Sequence, residues 1–124
     1  MKERYKILIV DDNKDYVEVL EMIFQTLGYE SMAVVDGQNA LKVLEIDRFD
    51  LVISDYLMDK MSGIELLEKI KDKFSDLKFL MISGNDNKEV QKEALTKGAD
   101  GYFVKGSDPQ LFINKIDDFK KSKS

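Results

Sequence analysis

Five polar residues follow short apolar runs, at the points where buried strands would end. They are Asp11, Asp12, Asp55, Ser83 and Lys105. In a parallel sheet, ligands bind at the edge where the carboxyl ends of the strands meet. Any one of these residues alone is ordinarily a turn or helix-cap residue. Their coincidence at four strand ends instead predicts a common functional site.

The side chains of this set favour chemistry on a phosphoryl group. Carboxylates held close together repel each other unless a cation joins them, and oxygen-only ligands favour a hard ion such as Mg²⁺. A lysine ammonium and a serine hydroxyl can bind phosphoryl oxygens, and an aspartate carboxylate is a known class of nucleophile for phosphoryl groups. The set therefore predicts a phosphoryl-transfer site in which the aspartate attacks and the other groups spread the charge.

The composition excludes most other chemistries. The chain of 124 residues has no cysteine and no histidine, which rules out disulfides, imidazole zinc sites and Ser-His-Asp or Cys-His catalysis. Its net charge of −5 at pH 7 argues against direct nucleic-acid binding by this domain. The charged first residues lead into only a short apolar run, so neither a signal peptide nor a membrane span is expected. We expect a soluble, cytoplasmic protein.

Apolar runs alternate with helical patterns along the chain. Strands are expected at residues 5–10, 30–35, 51–54, 78–82 and 101–104. The intervening segments repeat apolar residues at helical spacing. Five strands alternating with five helices predict an α/β fold, a doubly wound parallel sheet with helices on both faces. Residues 1–120 are expected to form one domain, and residues 121–124 a polar tail or the start of a linker.

Local signals mark the ends of several helices. Ser62 with Glu65 predicts a capping box before the third helix, and Asp86 with Glu89 predicts a weaker one before the fourth. Gly98 is expected to end the fourth helix. These signals agree with the alternation of strands and helices.

Five segments together carry a family resemblance over about residues 5–119. They are ILIVDDN at residues 7–13, DLVISDYLM at 50–58, MSG at 61–63, MISG at 81–84 and GADGYFVK at 98–105. None is specific alone, but in this order and spacing the chain resembles the receiver domain of bacterial two-component response regulators, of the chemotaxis-regulator kind. The resemblance implies a flavodoxin-like fold with strand order 2-1-3-4-5 and a phosphorylation-dependent signalling switch.

The resemblance also implies a role for each acid of the set. Asp55 would be the phosphoryl acceptor. Asp12 would bind Mg²⁺ directly and Asp11 through water, and the backbone carbonyl of Leu57 would be a further ligand beside Asp55. The phosphoryl donor would be a sensor histidine kinase, a phosphotransfer protein or a small acyl phosphate. Such a domain is not an enzyme beyond catalysing its own phosphorylation and dephosphorylation.

Three further residues would carry the switch. By the same resemblance, Lys105 would contact the phosphoryl group, Ser83 would close onto it, and Tyr102 would turn inward when Ser83 moves. The face formed by the fourth helix, the fifth strand and the fifth helix would then control a downstream protein or an output domain. No membrane and no nucleic acid is expected to bind this domain directly.

The chain departs from the usual pattern of the family in places. Gly106 follows the lysine where the family usually has proline with a cis peptide bond, and we expect a trans bond here because a cis bond before a non-proline residue costs about 3 kcal/mol. Asp59 stands where proline is usual. Leu57 and Asn85 occupy positions that influence the phosphoryl lifetime in this family. Because Leu57 is apolar and cannot orient an attacking water, we expect slow self-dephosphorylation.

Two other functions compete with that of a receiver. One is a phosphohydrolase of the haloacid dehalogenase kind, whose motif needs two aspartates separated by one residue, whereas Asp11 is followed two positions later by Asn13. That class also needs a cap, for which the chain has no length left. The other is a pseudo-receiver that acts only as a protein-binding module.

Overall fold

The computed structural model describes residues 4–58, 60–84 and 86–123. Five strands alternate with five helices, as predicted. The strands are β1 (Lys6–Val10), β2 (Glu30–Val34), β3 (Leu51–Asp55), β4 (Lys78–Ser83) and β5 (Gly101–Val104). The helices are α1 (Lys14–Thr26), α2 (Gly37–Ile46), α3 (Gly63–Lys73), α4 (Lys88–Thr96) and α5 (Pro109–Lys123).

All five strands form one parallel sheet in the order β2-β1-β3-β4-β5. The predicted α/β fold and strand order are therefore confirmed. The chain order reverses direction across the sheet at β1 and β3, which makes the carboxyl ends of these two strands the switch point where such sheets bind ligands. Asp11 directly follows β1, and Asp55 is the last residue of β3.

Alternate residues of the central strands pack into two separate cores. One face of the sheet packs against α1 and α5 through Leu20, Phe24 and Ile116, among others. The other face packs against α2, α3 and α4 through residues such as Leu44 and Leu67. A strand covered on both faces needs apolar residues at every position, which explains the unbroken apolar runs in the sequence.

The helix ends follow the capping signals, with one exception. The Ser62 hydroxyl accepts a hydrogen bond from the Glu65 backbone N–H, as the capping box predicts. The prediction that Asp86 caps α4 is wrong, because Asn87 is the cap and its side-chain oxygen accepts bonds from the backbone N–H groups of Glu89 and Val90. Gly98 follows α4 with φ of 112° and ends it as expected.

The last helix extends further than the sequence suggested. Helix α5 begins at Pro109 and runs to Lys123, so residues 121–123, expected in a polar tail or linker, continue the helix. The placement of the domain boundary at residue 120 stays a prediction. Among the described residues, no helix combines the length and the apolar character needed to cross a bilayer.

Candidate functional site

Three carboxylates meet at the carboxyl edge of the sheet. One side-chain oxygen from each of Asp11, Asp12 and Asp55 lies within 4.8 Å of the others. Asp11 is buried, Asp55 is partly buried and Asp12 is exposed, so the cluster opens to solvent on the Asp12 side. The sequence prediction that these residues come together is correct.

The cluster has the donor set of a site for a hard divalent cation. Mg²⁺ binds oxygen at about 2.1 Å in octahedral geometry, so two ligands on opposite sides of the ion lie about 4.2 Å apart. Carboxylate oxygens within 4.8 Å of one another need only a small contraction, or one intervening water, to share such an ion. Residues Asp11, Asp12 and Asp55 therefore fit Mg²⁺ by both chemistry and spacing.

Lys105 reaches into the cluster from the end of β5. Its Nζ lies 2.8 Å from Asp11 Oδ2 and 3.3 Å from Asp55 Oδ2. Only about one fifth of its side chain is exposed. The lysine thus bridges two of the acids and sits closer to Asp11 than to the predicted phosphoryl acceptor.

The electrostatics of the cluster follow from burial and from these pairings. Burial raises the pKa of Asp55 and so does the charge of Asp11, whereas Lys105 and a backbone hydrogen bond from Leu57 act in the opposite direction. The pKa of Lys105 is raised on balance, because its bonds to Asp11 and Asp55 outweigh the opposing effect of burial. The site therefore holds a carboxylate whose negative charge is poorly stabilised beside a firmly protonated ammonium.

Asp11 is fixed in place by the start of α1. Its Oδ1 accepts a hydrogen bond from the Asn13 backbone N–H at 2.9 Å. The Asn13 side chain in turn caps α1 by accepting from the Tyr16 backbone N–H at 3.1 Å. One oxygen of Asp11 is thus used for orientation, which leaves Oδ2 for Lys105 or a metal.

Gly63 allows α3 to begin directly against the end of β3. A Cβ at this position would lie 2.4 Å from the Asp55 carbonyl oxygen, a distance that no side chain tolerates. The Gly63 backbone N–H donates to the Tyr56 carbonyl oxygen at 2.8 Å. The glycine of the MSG segment therefore lets the start of α3 pack against the end of β3, where Asp55 lies.

Ser83 lies on the strand beside Asp55. The register pairs Asp55 with Ile82, so Ser83 is one residue further along β4. Ser83 is buried, and its carbonyl oxygen accepts a hydrogen bond from the Lys105 backbone N–H at 2.8 Å. The ends of β4 and β5 are thereby tied together at the two residues predicted to contact the phosphoryl group.

Tyr102 is half-buried on β5 and packs against the core on the α2–α3–α4 side of the sheet. Leu57 is 66% exposed beside the acidic cluster. The predicted roles of Tyr102 and of the Leu57 carbonyl stay predictions. Asp59 and Asn85, two positions at which the sequence drew attention, lie outside the described residues.

Lys105 lies in a tight turn that has Gly106 at the position where the family usually has proline. The Lys105–Gly106 peptide bond is trans, as predicted, and Gly106 has φ of 88°. The Ser107 backbone N–H and its hydroxyl both donate to the Val104 carbonyl oxygen, at 3.1 and 2.6 Å. This is the pattern of a type II turn, which requires positive φ at its third residue and so favours glycine. Because Lys105 is the second residue of this turn, the turn sets the position of its Cα and the direction in which its side chain leaves the backbone.

The sequence did not indicate one contact of this site. Tyr16 lies on the apolar stripe of α1, which by itself is typical of a core residue, yet its ring centroid lies 4.7 Å from Lys105 Nζ. Burial and the nearby charges of Asp11 and Asp55 raise the pKa of Tyr16 to about 12. Its position three residues after Asn13, on the first turn of α1, is the only signal that placed it near the site.

A cavity of about 740 Å³ lies away from this cluster, at the amino-terminal edge of the sheet. It is lined by Tyr5, Asp50, Phe74 and Phe119 among others, and by none of the predicted site residues. Asp11 and Asp12, but not Asp55, line a smaller cavity of about 230 Å³ between β1, β2 and α1.

Comparison with known proteins gives the family. The model of the response regulator receiver domain matches residues 7–117. This chain belongs to that family. Receiver domains of response regulators act in phosphorylation-dependent signalling in two-component systems, interact with histidine kinases and output domains, and are not classical enzymes. They typically bind Mg²⁺ at an acidic pocket, and the receiver domain described here has such a cluster.

Curated relatives include full-length regulators. The response regulator SaeR of Staphylococcus epidermidis is 35% identical over 107 residues, which are 86% of this chain and 46% of that protein. The alkaline phosphatase synthesis transcriptional regulatory protein PhoP of Bacillus subtilis is 31% identical over 105 residues, 85% of this chain and 44% of that protein. The receiver domain thus spans less than half the length of these two relatives.

Solved structures share the fold. The chemotaxis response regulator CheY4 of Vibrio cholerae has a TM-score of 0.86 at 28% identity, covering 94% of this chain and 99% of that one. The receiver domain of the Francisella response regulator 1452 has a TM-score of 0.90 at 24% identity, covering 98% and 100%. The predicted resemblance to chemotaxis-type receivers is confirmed.

Proposed function

We propose that this domain accepts a phosphoryl group on Asp55, with Mg²⁺ bound, from a sensor histidine kinase, a phosphotransfer protein or a small acyl phosphate. The observation that carries the proposal is the meeting of Asp11, Asp12, Asp55 and Lys105 at one edge of the sheet. Membership of the receiver family supports it.

In the proposed reaction an Asp55 oxygen forms a bond to phosphorus while the bond from phosphorus to the donor nitrogen or oxygen breaks. The donor leaves with the electron pair of that bond. Mg²⁺, held by Asp12 directly, by Asp11 through water and by the Leu57 carbonyl, would offset the negative charge of the transferred group. Lys105 would contact a phosphoryl oxygen, for which its ammonium is already positioned 3.3 Å from Asp55.

The proposed switch runs from the site through the ends of β4 and β5. Ser83 and Lys105 are joined by a backbone hydrogen bond, and their strands lead into α4 and α5. Attraction of both side chains to the phosphoryl group would displace these ends together, and Tyr102 would turn inward on β5. The output would be a population shift of the α4–β5–α5 face, which controls a partner or output domain.

Labelling with acetyl phosphate and Mg²⁺ tests the acceptor. Intact-protein mass spectrometry should show a gain of one phosphoryl group in the wild type and none in Asp55→Asn. Asp72→Asn, at an exposed position of α3, is the matched control and should label like the wild type. Absence of label in the wild type would favour the pseudo-receiver, and steady release of phosphate without label would favour a hydrolase.

Hydrogen exchange on the labelled protein tests the switch. Protection should change in α4 and α5 and in the adjoining ends of β4 and β5, while α2 serves as the internal reference. Changes confined to α1 and α2 would contradict a switch through the α4–β5–α5 face. Decay of the label over seconds would contradict the expected slow self-dephosphorylation.

A further inference from the structure

The aromatic ring of Tyr16 contacts the lysine of the site. Its centroid lies 4.7 Å from Lys105 Nζ, within the range of about 6 Å at which an aromatic face attracts an ammonium group. The ring is partly buried and packs against the core on the α1–α5 side of the sheet. Among the residues that the structure describes, the Lys105 ammonium contacts two carboxylates and one aromatic ring.

We propose that Tyr16 is a positioning residue for phosphoryl transfer, whose ring holds the Lys105 ammonium beside Asp55 when Mg²⁺ engages Asp11. This inference rests on the proposed function, because the reaction that it would speed is the phosphorylation of Asp55. It adds a residue that contacts neither the metal nor the phosphoryl group and acts through Lys105.

The reason lies in how the three partners respond to Mg²⁺. Within the described part of the chain, the shortest contact of the Lys105 ammonium is to Asp11, at 2.8 Å. A divalent ion at the acidic cluster neutralises the charge of Asp11 and weakens that ion pair. The neutral Tyr16 ring is not a ligand for Mg²⁺, which prefers oxygen anions and water, so its attraction for the ammonium persists. The ring would then keep Lys105 within reach of Asp55.

The backbone fixes the ring relative to the acids. Tyr16 N–H is bonded to the Asn13 side chain, and Asn13 N–H is bonded to Asp11 Oδ1. Asp11, the cap of α1 and the Tyr16 ring thus form one short, hydrogen-bonded segment. These hydrogen bonds orient the start of α1, so the ring would stay beside Lys105 when a metal binds the acids.

Kinetics of labelling by acetyl phosphate at saturating Mg²⁺ test the proposal. Tyr16→Leu keeps apolar bulk but removes the ring, and the labelling rate should fall about 3- to 10-fold, the range of a partly buried cation–π contact. Tyr16→Phe keeps the ring and should label within about 2-fold of the wild type. Phe49→Leu removes a similar contact at the other end of the sheet, where Lys6 Nζ lies 4.8 Å from the ring centroid, and should label like the wild type.

Nuclear magnetic resonance of the lysine ε-protons gives a readout that a loss of packing alone would not produce. The Tyr16 ring current should shift the Lys105 ε-protons upfield in the wild type and in Tyr16→Phe, with and without Mg²⁺. The shift should vanish in Tyr16→Leu and survive in Phe49→Leu. Loss of the shift on adding Mg²⁺ to the wild type would overturn the proposal.

The labelling rates distinguish the Tyr16 ring from its hydroxyl. Equal labelling rates for Tyr16→Leu and the wild type would overturn the proposal, and so would an equally slow Tyr16→Phe, since the hydroxyl would then be the active group. If the wild type takes no label, the proposed phosphorylation fails. In that case the ε-proton shifts still decide whether the ring holds Lys105 in the presence of Mg²⁺.

Discussion

Replacing Asp55 by asparagine should stabilise the metal-free domain at neutral pH. Burial and the charge of Asp11 both raise the pKa of Asp55, which means that its ionised form is less favourable in the folded chain than in the unfolded one. Asparagine has the same shape and removes the charge. We therefore expect Asp55→Asn to raise the free energy of unfolding, although it abolishes the proposed phosphorylation.

The magnitude follows from the distances in the cluster. At an effective dielectric constant of about 20, a like charge within 4.8 Å costs at least about 3 kcal/mol, and the Lys105 ammonium at 3.3 Å offsets it by about 5 kcal/mol. Burial of the Asp55 carboxylate costs several kcal/mol more. Since burial is the largest influence on its pKa, the net gain from the substitution should be on the order of 1 kcal/mol.

Mg²⁺ should reverse this difference, because the ion compensates the charge that makes Asp55 unfavourable. At a Mg²⁺ concentration ten times the dissociation constant, the wild type should gain about 1.4 kcal/mol, and Asp55→Asn less. Urea unfolding of both proteins at pH 7, with EDTA and with a Mg²⁺ titration, measures the two effects. A less stable Asp55→Asn protein in EDTA, or a stability difference independent of Mg²⁺, would refute the electrostatic account of the site.

Further predictions concern pH and three other residues. The pKa of Asp55 is raised in the folded protein, so the folded state binds a proton more tightly than the unfolded state. In EDTA, the wild type should therefore lose stability relative to Asp55→Asn as the pH rises from 3.8 through the folded-state pKa. A free-energy difference between the two proteins that does not change with pH would contradict this. A Cβ at Gly106 would meet no other atom, but the φ of 88° is unfavourable for a residue with a side chain. The urea midpoint of Gly106→Ala should therefore fall by the equivalent of about 1 kcal/mol. Gly106→Pro should lose more, because proline fixes φ at about −65°. An unchanged midpoint in both would show that the turn rearranges freely. Lys60→Gly should gain about 0.5 kcal/mol in the same assay, because Lys60 has φ of 69° and relief of this backbone strain exceeds the added entropy of the unfolded chain. A loss of stability would refute this. Asp100→Ala should lose about 2 kcal/mol, since Asp100 accepts from the buried Phe79 N–H at 2.9 Å, and a smaller loss would indicate that water replaces the carboxylate.

The sequence predicts this fold well because strands that are buried on both faces of a sheet appear in it as short continuous apolar runs. Strands β1, β3 and β4 alternate their residues between two cores, so each appears as an unbroken apolar run. Helix ends were harder to predict. Asp86 and Asn87 are both good caps by residue type, and only the three-dimensional start of α4 selects Asn87.

The sequence also predicts which residues meet at the site, but not how they pair. Asp11, Asp55 and Lys105 come together because strand ends are fixed by the sheet order. That Lys105 lies closer to Asp11 than to Asp55 depends on rotamers and on the turn at Gly106. The contact with Tyr16 was missed because an aromatic residue on the apolar stripe of a helix is ordinarily a core residue. The sequence does not show that the Lys105 side chain reaches from the end of β5 to the first turn of α1.

Charge balance constrains how the proposed switch can work. Three carboxylates and one ammonium leave the cluster with two excess negative charges, which one Mg²⁺ neutralises. Phosphorylation would replace the single negative charge of Asp55 by a charge of about −1.5 to −2. The net charge of the cluster would therefore change by about one unit or less. The switch therefore depends on where the charge lies. With Asp11 neutralised by the metal, the phosphoryl oxygens become the strongest partners of Lys105. Since the Lys105 backbone is bonded to Ser83, any movement of the lysine toward them carries the end of β4 with it.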